Sequence, residues 1–156
     1  MSGKNVTVRE ATPGDADDLG RLLHDFSVEY DDETPGAAAF AARLRELLAG
    51  DETAAVVAGH GPDGFAIVRF RPSLYTPANE CYLAELYVVP ALRGNGIGRA
   101  IMDAVLDLAR AHGCDHIDLG TSVDDVAARA LYERMGFTNR EGGPDGPSML
   151  YYEREL

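Results

Sequence analysis

Hydrophobic and polar positions change rhythm several times along this chain, and each rhythm points to an element. "KNVTVREAT" alternates valines with polar residues, as a half-buried strand does. "TPGDADDLGRLLHDF" switches to helical spacing, with Leu19, Leu22, Leu23 and Phe26 on one face. Thr12 is placed to cap that helix, Pro13 suits its first turn, and Asp15 stands where a capping box wants an acid. After "SVEYDDETPG", Thr34-Pro35 opens a second helix that carries Phe40, Leu44, Leu47 and Leu48 as far as Gly50. "TAAVVAG" and "GFAIVRFRP" are apolar strand runs joined by "HGPDG", a hairpin signal, and "ECYLAELYVV" is a fourth strand.

A third helix follows, with Ile97, Ile101, Val105 and Leu108 at helical spacing and Gly113 as its terminator. "DHIDLGTS" is a fifth strand. "SVDDVAARALYERMGF" is a fourth helix, with Ser122 as cap and Asp125 as the acid three residues on. "FTNREGG" and "SMLYYEREL" complete the pattern as two last strands around "GPDGP". The predicted order is strand, two helices, three strands, helix, strand, helix, two strands. That order means a mixed α/β sheet of about seven strands with four helices on its faces.

The handover from fourth strand to third helix raises a chemical question. "LYVVPALRGNGIGRA" breaks at Pro90 and then places Gly94, Gly96 and Gly98 at alternate positions. Glycines there let backbone approach a ligand closely, and their N–H groups can converge with the unpaired N–H groups of the helix start. Such a turn is an anion site, favoured by the helix dipole at ~0.3–1 kcal/mol per interaction. Arg93 and Arg99 flank it, and a guanidinium suits a phosphate. The alternative is a tight turn that is glycine-rich for conformational reasons alone. A dinucleotide fingerprint, G-x-G-x-x-G, does not fit, because Arg99 stands where its last glycine belongs and the turn does not follow the first strand. Asp118 does lie about where that fingerprint wants a carboxylate. The phosphate loop G-x-x-x-x-G-K-[ST] is absent.

Bulk properties narrow the partners. The 156 residues suit one domain, 1–156, and the two cysteines, Cys81 and Cys114, read as reduced thiols of a cytoplasmic protein. The net charge of −12 argues against nucleic acid and favours a cationic small molecule. No segment reaches the length of a membrane span, and "MSGKNVTVRE" lacks the apolar core of a signal peptide. His24, His60, His112 and His116 form no ligand pattern, so no metal site is expected.

Arg93-Gly94-Asn95-Gly96-Ile97-Gly98 resembles R/Q-x-x-G-x-G/A, the acetyl-CoA diphosphate loop of the GNAT N-acetyltransferase superfamily. "LYVVPALR" resembles that family's fourth strand, and Leu131-Tyr132 with Gly136-Phe137 matches the L-Y-x-x-x-G-F that ends its later helix. The resemblance covers nearly the whole chain and implies a twisted, mostly antiparallel sheet splayed between strands 4 and 5. It implies acetyl-CoA as co-substrate, with the pantetheine arm along Leu86, Tyr87 and Val88 and the diphosphate within Gly94 to Arg99. Tyr132 would protonate the leaving thiolate; it keeps its proton at neutral pH, with a free pKa of ~10 against ~8.5 for a thiol. The family often has asparagine where Asp125 stands, which keeps an acceptor for the pantetheine arm and removes a donor.

The acceptor implied is an amine, and only about one lysine-like amine in 2,500 is neutral at pH 7. A base therefore helps. Glu80, thirteen residues before the loop arginine, and Glu85, nearer the pantetheine segment, are the candidates; a plain solvent-facing acid is the alternative for each. In a regular strand they point to opposite faces, unless a bulge intervenes. The segment between the first two helices, "HDFSVEYDDETPG", would wall the acceptor site, where Asp25, Glu29, Asp31, Asp32 and Glu33 surround the rings of Phe26 and Tyr30; a solvated helix end is the alternative. Charge and ring faces together suit a cationic acceptor: a polyamine, an aminoglycoside or a lysine side chain. The family's frequent pairing through its last strand implies a homodimer. A non-catalytic acyl-CoA sensor on the same fold is the alternative to an enzyme.

Overall fold

Thr53–Ala58 is buried at every position because helices cover both sides of it. The computed structural model describes residues 6–156, so the first two residues of "KNVTVREAT" lie outside the described residues. β1 (Val8–Glu10), β2 (Thr53–Ala58), β3 (Gly64–Pro72), β4 (Asn79–Val88) and β5 (Cys114–Leu119) lie side by side in chain order. Neighbours are antiparallel from β1 to β4, and β5 runs parallel to β4. α3 (Ile97–Ala111) makes the crossover that a parallel pair needs. α1 (Ala16–Glu29) and α2 (Ala37–Leu48) pack on the other face.

Alternation in β3 divides the core between these layers. Phe65 and Ile67 join Leu19, Leu22 and Leu44 under α1 and α2. Gly64 faces the opposite way, where an added Cβ would lie 3.0 Å from Ile101 Cδ1 of α3. The helix start read from the sequence forms as a short 3-10 turn, Pro13–Asp15, ahead of α1. Asp15 Oδ2 accepts the Thr12 N–H at 2.8 Å, and the carboxylate also holds Arg9. The Arg9 guanidinium is the main reason the Asp15 carboxyl is held down at about 2.

Gly20 sets how closely α1 and α2 cross. A Cβ there would lie 2.6 Å from Ala37 O and 2.7 Å from Ala41 N. Gly→Ala inside a helix ordinarily gains ~0.5–1 kcal/mol. Here the clash is with backbone and the sign reverses: Gly20→Ala is expected to cost about 1–3 kcal/mol through overpacking. Each kcal/mol moves Tm by ~2–4 °C in a chain of this size. Thermal unfolding followed by circular dichroism checks this, and an unchanged or raised Tm would show that the helices can part without cost.

Gly120–Leu156 is a second compact unit, distinct from the one ending at Leu119. Its helix, α4 (Val126–Arg134), starts later than Ser122 capping implies, and Asp125 rather than Ser122 is its N-cap residue. Ser122 Oγ instead accepts the Asp124 N–H at 3.3 Å, in a turn before the helix. The expectation of about seven strands is corrected: among the described residues the sheet has five. "FTNREGG" and "SMLYYEREL" do come together, yet only as an isolated antiparallel bridge between Arg140 and Ser148. Two hydrogen bonds flank it, Met149 N–H to Asn139 O and Glu141 N–H to Pro147 O.

Candidate active site

A single extra residue organises the site. Ile67 pairs with Glu85 and Val68 with Leu83, so Ala84 is a bulge with no partner of its own on β3. Directly paired residues of an antiparallel ladder share a face. Glu80 pairs with Arg71, and Arg71 shares its face with Ile67 because they are four apart on β3. Glu80 and Glu85 therefore lie on the same face, the one that carries α1 and α2. The expectation from a regular strand is corrected by the bulge.

The two carboxylates have different surroundings. Glu80 Oε2 accepts from Arg71 Nε at 2.8 Å, and Arg71 Nη2 also reaches Asp118 Oδ2 at 3.4 Å. Glu80 is thus committed to an ion pair with a guanidinium, and its oxygen is not free to receive an amine proton. Among the described residues Glu85 has no such partner. Burial pushes its carboxyl up, and the negative charge of Asp32 adds to the rise. A carboxylate raised toward neutrality is what a general base needs. Asp32 comes from the turn after α1, so the expected acceptor wall and the candidate base are electrostatic neighbours.

The rest of that wall is partly committed to structure. The Phe26 ring packs against Tyr87 at 4.9 Å and Tyr30 at 5.2 Å, so it belongs to an aromatic cluster. Asp31 takes φ 56°, a left-handed conformation that aspartate tolerates, and its N–H closes the end of α1 on Val28 O. Asp32 N–H bonds Ser27 O at 2.9 Å. His24 Nδ1 lies 2.9 Å from Thr34 Oγ1 and pins the start of the connection to α2. Asp25 is exposed on the C-terminal half of α1 and adds negative charge beside Tyr87. Glu29 is engaged by Arg93, as described below.

β4 outruns β5. The last parallel pair is Leu83 with Leu119, and β4 continues to Val88 with its far edge unpaired by β5. Leu86, Tyr87 and Val88 lie on this stretch, paired only to Ala66, Phe65 and Gly64 of β3. Beyond it, Pro90–Leu92 forms a 3-10 turn and the chain enters α3 through the glycines. Gly94 and Gly96 both take φ 81°, and a Cβ on either would meet nothing within 4 Å. Glycine is thus required there by backbone conformation, and the space above both residues is open. The first backbone bond of α3 is Ala100 N–H to Gly96 O at 3.1 Å, so the N–H groups of Ile97, Gly98 and Arg99 have no partner within the helix. Asn95 folds its side chain back onto Leu92 O at 3.0 Å, and Ile97 is buried. Arg99 pairs along the helix with Asp103 at 3.3 Å.

Arg93 does something its sequence position does not announce. Its Nη1 and Nη2 grip both oxygens of Glu29 at 2.8 and 2.9 Å. Its Nε donates to Val88 O at 2.9 Å, and its guanidinium carbon sits 5.4 Å from the centre of the Tyr87 ring. Tyr87 Oη also donates to Glu29 Oε1 at 3.2 Å. An isolated exposed pair contributes only ~0.2–1 kcal/mol, but fork-on-fork geometry with a ring beneath it is stronger than that. The Arg93 guanidinium, first, and then the Tyr87 hydroxyl lower the Glu29 carboxyl.

In the second unit, Tyr132 is buried on α4, its ring 5.8 Å from Phe137. Burial, with the charge of Asp125, pushes its hydroxyl up to about 12. Thr121 Oγ1 lies 3.4 Å from Asp125 Oδ2.

Residues 17–137 match the model of the Acetyltransferase (GNAT) family. The chain belongs to the GNAT acetyltransferase family. It is 33% identical over 148 residues to an aminoglycoside N(6′)-acetyltransferase type 1 of Stenotrophomonas maltophilia, covering 90% of this chain and 92% of that one. A solved structure from Arthrobacter sp. FB24, named only as an acetyltransferase, superposes with TM-score 0.89 at 41% identity, over all of this chain and 98% of the other. Over 69 residues, 42% of this chain, it is 39% identical to a mycothiol acetyltransferase of Beutenbergia cavernae, but spans only 23% of that relative's length. Membership of the GNAT family makes acyl transfer the class of chemistry. Among the described residues no helix is long and apolar enough to cross a membrane, and no three His, Cys, Asp or Glu side chains form a metal-binding group.

Two features of this GNAT chain escaped sequence reasoning. The Arg71 clamp on Glu80 had a faint signal, because a hairpin register counted outward from the 73–78 connection pairs them. The Glu29–Arg93 pair spans 64 positions and had none. Neither cysteine offers a nucleophile: burial pushes the Cys81 thiol up to about 12 and also raises Cys114.

Proposed function

We propose that this acetyltransferase moves an acetyl group from acetyl-CoA directly to a primary amine of a small cationic acceptor. The observation that carries the reading is the Gly94–Gly98 turn, open above its positive-φ glycines and set at the start of α3 beside the unpaired end of β4. The diphosphate would lie against the N–H groups from Gly94 to Arg99, and the pantetheine arm would pair with the backbone of Leu86 to Val88. Acetyl-CoA supplies the activated thioester when bound. Glu85 takes a proton from the attacking amine as nitrogen bonds to the acyl carbon. As the family resemblance implies, Tyr132 would support the departing sulfur through its hydroxyl as the carbon–sulfur bond breaks, and the sulfur would end as a thiol with its proton supplied from solvent. The acids at Asp25, Asp31 and Asp32 favour a cationic acceptor, and the aminoglycoside relative is consistent with that class. Glu85 and Asp32 beside the bulge favour an enzyme over a passive sensor.

Calorimetric titration tests the reading. Acetyl-CoA is expected to bind, NAD is not, and Gly96→Val is expected to abolish the heat of acetyl-CoA binding, because valine cannot take φ 81° without strain. Release of free CoA on adding a polyamine or an aminoglycoside then separates an enzyme from a sensor. No heat with acetyl-CoA, or a preference for NAD, would overturn the cofactor assignment.

A further inference from the structure

We propose that Glu29 is a positioning residue for the cofactor turn, acting through Arg93, and that it couples that turn to the acceptor side of the molecule. The proposal rests on the reading of Gly94–Gly98 as the diphosphate loop.

The motif's arginine would ordinarily be credited with a phosphate. Here its side chain is already spoken for. Two guanidinium nitrogens hold Glu29, the third holds Val88 O, and the face of the group lies over Tyr87. Every one of these contacts is with the protein's own groups. What Arg93 gives the turn is therefore a fixed entry point. Val88 is the last residue of β4, and Arg93 follows the 3-10 turn by one residue, so the side chain ties the two ends of Val88–Arg93 together. The backbone immediately after it, Gly94, is left-handed and unsupported by any neighbour within 4 Å of a Cβ position. Such a turn is floppy unless its flank is anchored.

The anchor belongs to a different part of the chain. Glu29 is the last residue of α1, followed directly by the turn that carries Asp31 and Asp32. Asp32 influences Glu85, the candidate base. Tyr87 bonds Glu29 from β4 and packs on Phe26 of α1, so the contact has a second strut. One carboxylate thus joins the cofactor turn, the β4 stretch expected to hold the pantetheine arm, and the end of the helix that leads to the acceptor wall. An acid in the acceptor segment gains a role that requires no contact with the acceptor.

Three variants test this: Glu29→Gln, Arg93→Gln and the double substitution. The first readout is hydrogen exchange of the 93–99 peptide in the ligand-free protein. Each single change is expected to speed exchange, and the double change to add nothing further, because both remove the same tie. The second readout is acetyl-CoA binding by calorimetry with steady-state kinetics. Affinity is expected to fall about tenfold, and the loss to fall on KM for acetyl-CoA more than on kcat. Glu29→Asp, which keeps the charge on a shorter arm, is expected to lie between wild type and Glu29→Gln and guards against a simple folding defect. Unchanged exchange in Glu29→Gln, or losses that add in the double variant, would overturn the proposal. Should wild type fail to bind acetyl-CoA, the cofactor reading falls, while the exchange experiment still decides whether Glu29 holds the turn.

Discussion

Glu85→Gln is expected to lower kcat/KM by about 10²–10⁴-fold at neutral pH, the contribution of a positioned general base. The amide keeps size and polarity but cannot take a proton. The pH profile carries the sharper statement. Burial and then Asp32 raise the Glu85 carboxyl, so wild-type activity should fall away on the acid side above the ordinary carboxylate range, near pH 4.3. Removing the neighbouring charge with Asp32→Asn lowers that carboxyl and moves the acid limb to lower pH. In Glu85→Gln the limb disappears, and rate should climb steadily with pH as the amine itself deprotonates. The same shift has a stability sign. A raised carboxyl favours the fold below its unfolded value, and that contribution is lost as pH rises through the folded value. Glu85→Gln should therefore be slightly more stable than wild type near pH 7, a trade of stability for function. Glu80→Gln serves as the comparison. Its carboxylate is clamped by Arg71, so its rate effect should be small. A silent Glu85→Gln beside a crippled Glu80→Gln would reverse the assignment.

Tyr132→Phe is expected to cost about 10²-fold in kcat, the loss seen when one donor to a developing anion is removed. KM for acetyl-CoA should move little. The phenyl ring keeps the packing against Phe137, so Tm serves as a control on folding. A hydroxyl raised to about 12 holds its proton across the whole working range. Full transfer to a thiolate of pKa ~8.5 is then uphill by several kcal/mol. The expected role is hydrogen-bond support for the departing sulfur, with the proton completing its journey from solvent. An unchanged kcat would leave Tyr132 as a core aromatic packed on Phe137 and nothing more.

Much of this was legible in the residues. Helical spacing at Leu19, Leu22 and Phe26, and again at Ile97, Ile101, Val105 and Leu108, fixed two helices and their buried faces. Continuous apolar runs marked β2 and β3, because a strand covered on both sides has no polar face to show. The glycine turn announced itself through a conformation few other residues take. The end of the chain misled for a physical reason. Met149, Leu150, Tyr151 and Tyr152 are consecutive apolar positions without period two, and a strand forms only where a neighbouring edge accepts its ladder. Among the described residues the Arg140–Ser148 bridge, with the two hydrogen bonds beside it, is the strand pairing this stretch achieves. Long-range pairs were invisible for another reason: nothing in the residues near Glu29 specifies Arg93. The bulge was invisible because Ala84 is an ordinary strand residue whose extra place appears only against β3.

Ala84 acts on its strand as a phase shift. Upstream of it, even-numbered residues face α1 and α2; downstream, odd-numbered ones do. Deleting this one alanine would leave every proposed catalytic and cofactor-contacting side chain in the chain. It would also return the strand to a single beat, and Glu80 and Glu85, then four apart, would still share a face; a regular strand that kept Ala84 is what would turn them to opposite faces. For this acetyltransferase, then, the spacing between functional groups along β4 is as much a part of the active site as the groups themselves. A related chain with a regular strand one residue shorter here would present the same two carboxylates to the same face, so a one-residue gap at Ala84 aligns the chemistry rather than losing it.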